Sequence, residues 1–152
     1  MTPNLLIEAI RRRHPDLILT ESWGEQALFL NPLGALKRGV YVATIKQKDG
    51  ENDRASQIDR PGIWRLNVGV PPSRFEAEFG PRPARPAKGG VIGGDWDFTE
   101  LNRLTPHPVY GWMGWLAILN PSESRWPQIA ELIDAAHAKA TIAARKRVAA
   151  LT

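Results

Sequence analysis

Cysteine is absent from the 152 residues. That excludes a disulfide framework, thiolate catalysis, cysteine-ligated zinc and iron–sulfur clusters, and it leaves the cytoplasm as the expected compartment. Long apolar runs are also lacking. The start, Met1-Thr2-Pro3-Asn4-Leu5-Leu6-Ile7-Glu8, has neither the basic region nor the apolar core of a signal peptide, and no window approaches the roughly 20 apolar residues of a membrane span. No membrane partner is expected. Histidine is scarce: His14, His107 and His137 fall in three different expected elements without paired spacing, whereas a zinc site needs three or four ligands. Neither a metal nor a cofactor is expected. There is no β-α-β alternation, and Gly89-Gly90-Val91-Ile92-Gly93-Gly94 is followed by neither a Lys-Ser/Thr pair nor a helix start, so it does not read as a phosphate-cradling loop.

Excess charge is confined to one place. The chain carries 20 basic and 16 acidic residues, a formal charge of +4. Residues 139–152 hold Lys139, Arg145, Lys146 and Arg147 and no acid, so the remainder is neutral. Cations in the last turns of a helix also suit the helix dipole, and residues 145–152 read as a basic tail with a tendency to fray. With Arg11, Arg12 and Arg13, the residues Arg145, Lys146 and Arg147 form a basic face if the terminal helices lie side by side. Such a face would bind nucleic acid weakly, without sequence preference and in a salt-sensitive way.

What is present predicts an α+β fold: a mostly antiparallel sheet of four or five strands, an N-terminal helix, short inserted helices and a long C-terminal helix packed on one face, all in one domain spanning 1–152. Thr2 before Pro3 reads as an N-cap for a helix over 3–13. Residues 17–23 and 26–31 read as a hairpin around Gly24-Glu25, with glycine first as in a type II′ turn. Val40 to Lys46 reads as a third strand, 48–57 as an exposed and mobile polar loop, and Ile63 to Val70 as the central strand. Ser73 and Glu76 fit a capping box for a helix ending at Phe79. Residues 81–94 are a Pro/Gly-rich irregular excursion. Asp97 and Glu100 fit a cap for a helix over 98–104, residues 112–120 a last strand, and Trp126 to Val148 a long amphipathic helix.

Several constellations bear on function. Asp59 and Arg60, with Arg65 and Asn67 downstream on a strand, can present a carboxylate–guanidinium pair to a polar ligand; Asp59 can equally cap its turn while Arg65 pairs with it across the sheet. His107 is held between Pro106 and Pro108, with Tyr110 three residues on; it serves either as a general base or ligand contact, or to steer the chain into the last strand. Trp64, Trp112 and Trp115 sit in apolar runs as core residues, whereas Trp23 and Trp96 read as nearer the surface. No nucleophile–base pair is evident, so the reading leans away from an enzyme and towards a binding or interaction protein. Asp59, Arg65, Asn67, His107, Tyr110 and Trp115 are the candidate ligand-binding residues, and one alternative is a small-molecule binder or enzyme with a pocket between the sheet and the C-terminal helix. Nucleic acid is the alternative partner.

The segment Asp53-Arg54-Ala55-Ser56-Gln57-Ile58-Asp59-Arg60-Pro61-Gly62-Ile63-Trp64-Arg65-Leu66-Asn67-Val68-Gly69-Val70, with His107-Pro108-Val109-Tyr110 and Gly114-Trp115-Leu116-Ala117-Ile118-Leu119-Asn120-Pro121, resembles a bacterial family catalogued as a domain of unknown function, over nearly the whole chain. More distantly, the order of helix, meandering strands, Gly-Trp-led last strand and closing helix resembles the YjbR-like proteins, which have a frataxin-like (CyaY-like) α+β fold and have been suggested to bind DNA. Frataxins hold iron on an acidic first helix. Here that helix offers Glu8 among three arginines, so the iron role is not implied.

Overall fold

The computed structural model describes all 152 residues. Helix α1 (Pro3–Arg13) begins as its sequence predicts: Thr2 accepts a side-chain hydrogen bond from the Leu5 N–H, and proline occupies the first turn. Strands β1 (Ile18–Ser22), β2 (Glu25–Leu30), β3 (Val40–Lys46) and β4 (Arg65–Gly69) follow as a meander. After helix α2 (Pro72–Phe79) the chain makes a long irregular excursion. It then returns as β5 (Leu104–Pro106) and β6 (Trp115–Leu119), and closes with α3 (Trp126–Ala149). The six strands form one sheet in the order β1-β2-β3-β4-β6-β5, every neighbouring pair antiparallel. The α+β class stands, with six strands where four or five were expected. No helix is long and apolar enough to cross a membrane.

One face of the sheet is the core. Leu66 and Val68 of β4, Leu116 and Ile118 of β6, and Ile45 of β3 point towards α1, which contributes Leu6, Ile7 and Ile10. They also meet α3, which contributes Ile129, Leu132, Ile133, Ala136, Ala140 and Ala144. The alanines on the packing side of α3 let its backbone lie close over β3 and β2. Arg145, Lys146 and Arg147 are exposed in the last turns of this helix, which continues through Ala149.

The opposite face carries the alternate residues, in rows set by strand register. Glu25, Lys46 and Arg65 form one row; Ala27, Thr44, Asn67, Ala117 and Thr105 form the next. A β-bulge in β3 opposite Leu28/Phe29 changes the phase of the strand. Val42 and Ala43 are both fully buried, and Tyr41 joins Thr44 on the far face. An extra residue has this effect wherever side chains alternate with period two.

Five local expectations are corrected. The hairpin turn is Trp23-Gly24, not Gly24-Glu25: Ser22 pairs with Glu25, and Trp23 and Gly24 both have positive φ (53° and 74°). This is the type I′ pattern, whose twist matches that of the strands. Helix α2 starts at Pro72 with Pro71 before it and no side-chain cap; proline at the first helical position starts the helix early, so Ser73 lies within the first turn. No helix forms over 98–104, because Leu104–Pro106 pairs with β6 as an edge strand and Asn102 takes a left-handed conformation. Residues 48–57 are not merely an exposed polar loop: Ser56 and, just beyond, Ile58 are buried and Asp53 turns inward. Trp96, expected nearer the surface, is half-buried and meets Phe79 edge-on at 5.3 Å.

The ring of Trp23 is 90% exposed, so little burial offsets its left-handed backbone. Trp23→Asn, which supplies the Asn-Gly pair that type I′ turns favour, is expected to stabilise the fold by about 1 kcal/mol. Urea unfolding followed by far-UV circular dichroism would read this as a higher midpoint.

Candidate functional site

Arg65 projects from β4, a central strand, onto the face away from the helices, yet its residue is only 1% exposed. A guanidinium cannot shed its charge, so such burial requires partners for nearly every N–H. They are present. Nε donates to Asn67 Oδ1 at 2.7 Å. Nη1 donates to Asp53 Oδ1 at 3.0 Å and to Ser56 Oγ at 2.9 Å. Nη2 completes a two-pronged pair with Asp53 Oδ2. Losing one partner of a buried ion pair typically costs about 3–5 kcal/mol, because the other charge is left uncompensated.

The loop after β3 supplies the carboxylate. Asp49 and Asp59 tie it across its neck: the Asp49 N–H donates to Asp59 Oδ1 at 3.0 Å, and the Ile58 N–H donates to Asp49 Oδ1 at 2.9 Å. Gly50 and Asp53 form an isolated antiparallel bridge. Arg60 staples the loop's far side through the carbonyls of Gln57, Ser56 and Thr99. Asp53 and Ser56 are thereby held over β4.

His107 follows β5, its own N–H bonded to the Trp115 carbonyl at 2.9 Å. Its Nδ1 accepts from the backbone N–H groups of Val109 and Tyr110, at 3.1 and 3.0 Å. This leaves the ring hydrogen on Nε2, which lies 3.7 Å from Asp53 Oδ2 and 3.1 Å from Arg65 Nη2. Burial, and then the Arg65 charge, lower its pKa to about 3 against the opposing pull of Asp53. The ring is a neutral donor with its lone pair occupied, a poor arrangement for a general base. Burial raises the Asp53 carboxyl, but hydrogen bonding and charge from Arg65, aided by His107 and Lys46, outweigh it and hold the group below the usual carboxylate value.

Above this network is an open cavity of about 520 Å³. Its floor is Thr44 and Asn67, where Asn67 Nδ2 donates to Thr44 Oγ1 at 3.0 Å. The Thr44 hydroxyl hydrogen is therefore free to donate elsewhere. Lys46 and Glu25 stand at one side, their charged atoms 3.4 Å apart. Tyr41, Tyr110, Met113 and Trp115 form an apolar wall. Trp115 lies flat over Gly69 across the β4–β6 pair, so close that a Cβ at Gly69 would fall 2.9 Å from its ring.

The structure thus brings together Arg65, Asn67, His107, Tyr110 and Trp115. The location and one member are corrected. The cavity is on the sheet face away from α3, not between the sheet and the C-terminal helix, because Arg65 and Asn67 alternate with the core residues Leu66 and Val68. Asp59 is exposed and bonds loop backbone; the acid that pairs with Arg65 is Asp53. Sequence reasoning also missed Thr44, Lys46, Glu25 and Tyr41. The signal for the first two was the register of β3 against β4, which sets Thr44 beside Asn67 and Lys46 beside Arg65.

The basic residues are arranged differently. Arg12 pairs with Glu8 at 3.0 Å, and Arg13 gives Asp134 two hydrogen bonds, at 2.7 and 2.6 Å. α1 therefore meets α3 near Asp134, about 16 Å along the helix from Arg145 at 1.5 Å per residue. Arg11, Arg145, Lys146 and Arg147 make no ion pair.

Fold and site together define an α+β protein with one sheet face closed by helices and the other open over a charge-compensated polar pocket. Within that class the chain belongs to a particular family, the family of unknown function DUF6194, whose model matches residues 1–149. No curated protein and no solved structure matches it.

The depressed His107 pKa fixes a direction of pH dependence. Between the unfolded value of 6.5 and the folded value of about 3, the unfolded chain binds the proton that the folded ring refuses. Stability is therefore full above pH 6.5 and declines as the pH falls, by up to about 1.4 kcal/mol per pH unit for this one group. Asp53 adds a loss of the same sign at lower pH. Urea unfolding at pH 7, 5.5 and 4.5 should show this decline in the wild type and a shallower one in His107→Gln; equal slopes would mean the imidazole is not held neutral.

Proposed function

We propose that the chain is a binding protein for a small molecule, neutral or cationic, with a planar or apolar body and a polar end that both donates and accepts hydrogen bonds. The observation that carries this is the buried Arg65–Asp53–His107–Asn67–Thr44 network at the floor of an open cavity. A solvent-facing sheet needs only polar side chains; a buried, charge-paired arginine there is costly and holds nearby groups rigidly. The Thr44 hydroxyl and Lys46 supply donors, Asp53 and Glu25 acceptors, and the aromatic wall a surface for a ring. Glu25, Glu51 and Asp53 outnumber Lys46 around the cavity, which disfavours phosphates. The occupied lone pair of His107 and the lack of a nucleophile beside it favour binding over catalysis at this pocket.

A second reading rests on the exposed, unpaired Arg145, Lys146 and Arg147 and on the element order that resembles the YjbR-like proteins: weak, sequence-independent DNA binding through the end of α3. It predicts that anisotropy of labelled DNA reports binding at about 50 mM salt that collapses at about 200 mM, and that charge reversal at these three residues abolishes it. No binding at the lower salt removes this reading.

For the pocket, a library of neutral and cationic fragments titrated into isotope-labelled protein should shift amide resonances of Thr44, Asn67 and Trp115 together. Lys46→Met and Tyr110→Ala should weaken the best fragment about tenfold or more each while leaving the unfolding free energy from urea titration within about 0.5 kcal/mol. Hits that cluster on other surfaces would overturn the proposal.

A further inference from the structure

Behind the sheet, where α1 ends against α3, four side chains converge that the pocket does not use. His14 caps α1, its N–H bonded to the Ile10 carbonyl, and Asp16 lies in the turn that follows. Asp134 and His137, three residues apart on α3, share a helix face. His14 Nε2 is 2.7 Å from Asp134 Oδ1, and His137 Nε2 is 2.9 and 3.0 Å from the two oxygens of Asp16. The two imidazoles stack at 4.1 Å between centroids, 21° from parallel. One ligand atom from each of His14, Asp16 and His137 lies within 4.8 Å of the others.

We infer that His14, Asp16 and His137 form a binding site for a divalent transition-metal ion of the zinc type. Two imidazoles and one carboxylate suit zinc and its neighbours, and three protein ligands leave a coordination position open to water. Bonds of about 2.0–2.2 Å would hold ligand atoms roughly 3.3–3.5 Å apart in tetrahedral geometry, so the side chains must close by about an ångström. Asp16 is exposed and both rings sit at the rim of the helix pair, which leaves room for that movement. Asp134 has a different part. Arg13 grips it through two hydrogen bonds, and it in turn holds the His14 ring, the outer-shell arrangement that orients metal-binding histidines. Without metal the same contacts act as a clasp between α1 and α3. A clasp needs only one imidazole–carboxylate pair; the convergence of two is what a metal would use.

The test is a zinc chloride titration of the full chain, free of any polyhistidine tag, by calorimetry at pH 7.5. One ion per chain is expected at a Kd of about 10 µM or tighter. His14→Ala and His137→Ala should each weaken it about 100-fold, and Asp134→Asn about 10-fold, in the range found for outer-shell changes. In parallel, zinc added to the wild type should move the ring resonances of His14 and His137 and leave those of His107 in place, a readout that needs no variant to fold. Absence of binding up to about 1 mM, unchanged affinity in both histidine variants, or a response at His107 instead would overturn the inference.

Discussion

The guanidinium of Arg65 is the interaction on which the site depends. It is a permanent charge held out of water on a central strand, and its nitrogens are tied to Asn67 on its own strand and to Asp53 and Ser56 on the loop after β3, while His107 at the end of the edge strand β5 faces the same Asp53 carboxylate. Removing any of these leaves charge or donors without partners, so the loop, the strand and the edge are linked energetically although they are far apart in sequence. The cavity has a defined floor because the arginine does.

Much of the frame is legible in the residues. Helix α1 follows from Thr2-Pro3, β3 from the β-branched run at Val40, and α3 from the spacing of Ile129, Leu132, Ile133, Ala136 and Ala140. Each of these rests on interactions local to a few turns or on a single period. The site is legible only in part. Arg65, Asn67, His107, Tyr110 and Trp115 are recognisable as polar or amphipathic groups in otherwise apolar segments, but the partner of Arg65 is not. Asp59 and Asp53 lie in the same polar stretch with equal chemical claim, and what chooses between them is the way Asp49 and Asp59 fasten the neck of the loop. Tyr41 was hidden by a different cause: the bulge in β3 inverts the in–out alternation, and nothing in Val40-Tyr41-Val42-Ala43-Thr44 announces an extra residue. His14 and His137 meet through the packing of two helices that the chain separates by the entire sheet.

The two faces of the sheet answer to different physics. The helix-covered face is held by apolar burial, which tolerates exchange among similar volumes. The open face is held by oriented hydrogen bonds and a compensated charge, which tolerate little. Side-chain alternation along β4, Arg65 and Asn67 on one side and Leu66 and Val68 on the other, puts both on one strand. Any slip of β4 by a single residue would exchange them and fail on both faces at once. Such a strand has one workable register.

The order in which these elements leave the ribosome matters for the apolar face. The meander β1 to β4 is made of sequence neighbours and can pair early, but β6 and β5 arrive only after the long excursion. Helix α3, which covers the core side, comes after every strand. Until α3 has been made, the nascent sheet shows its Leu- and Ile-rich side to its surroundings or to whatever binds it there. That exposure is the stage at which partly made chains of this architecture are most open to aggregation. The C-terminal half of the packing side of α3, Ala136, Ala140 and Ala144, leaves little side-chain bulk to be ordered when the helix closes that face.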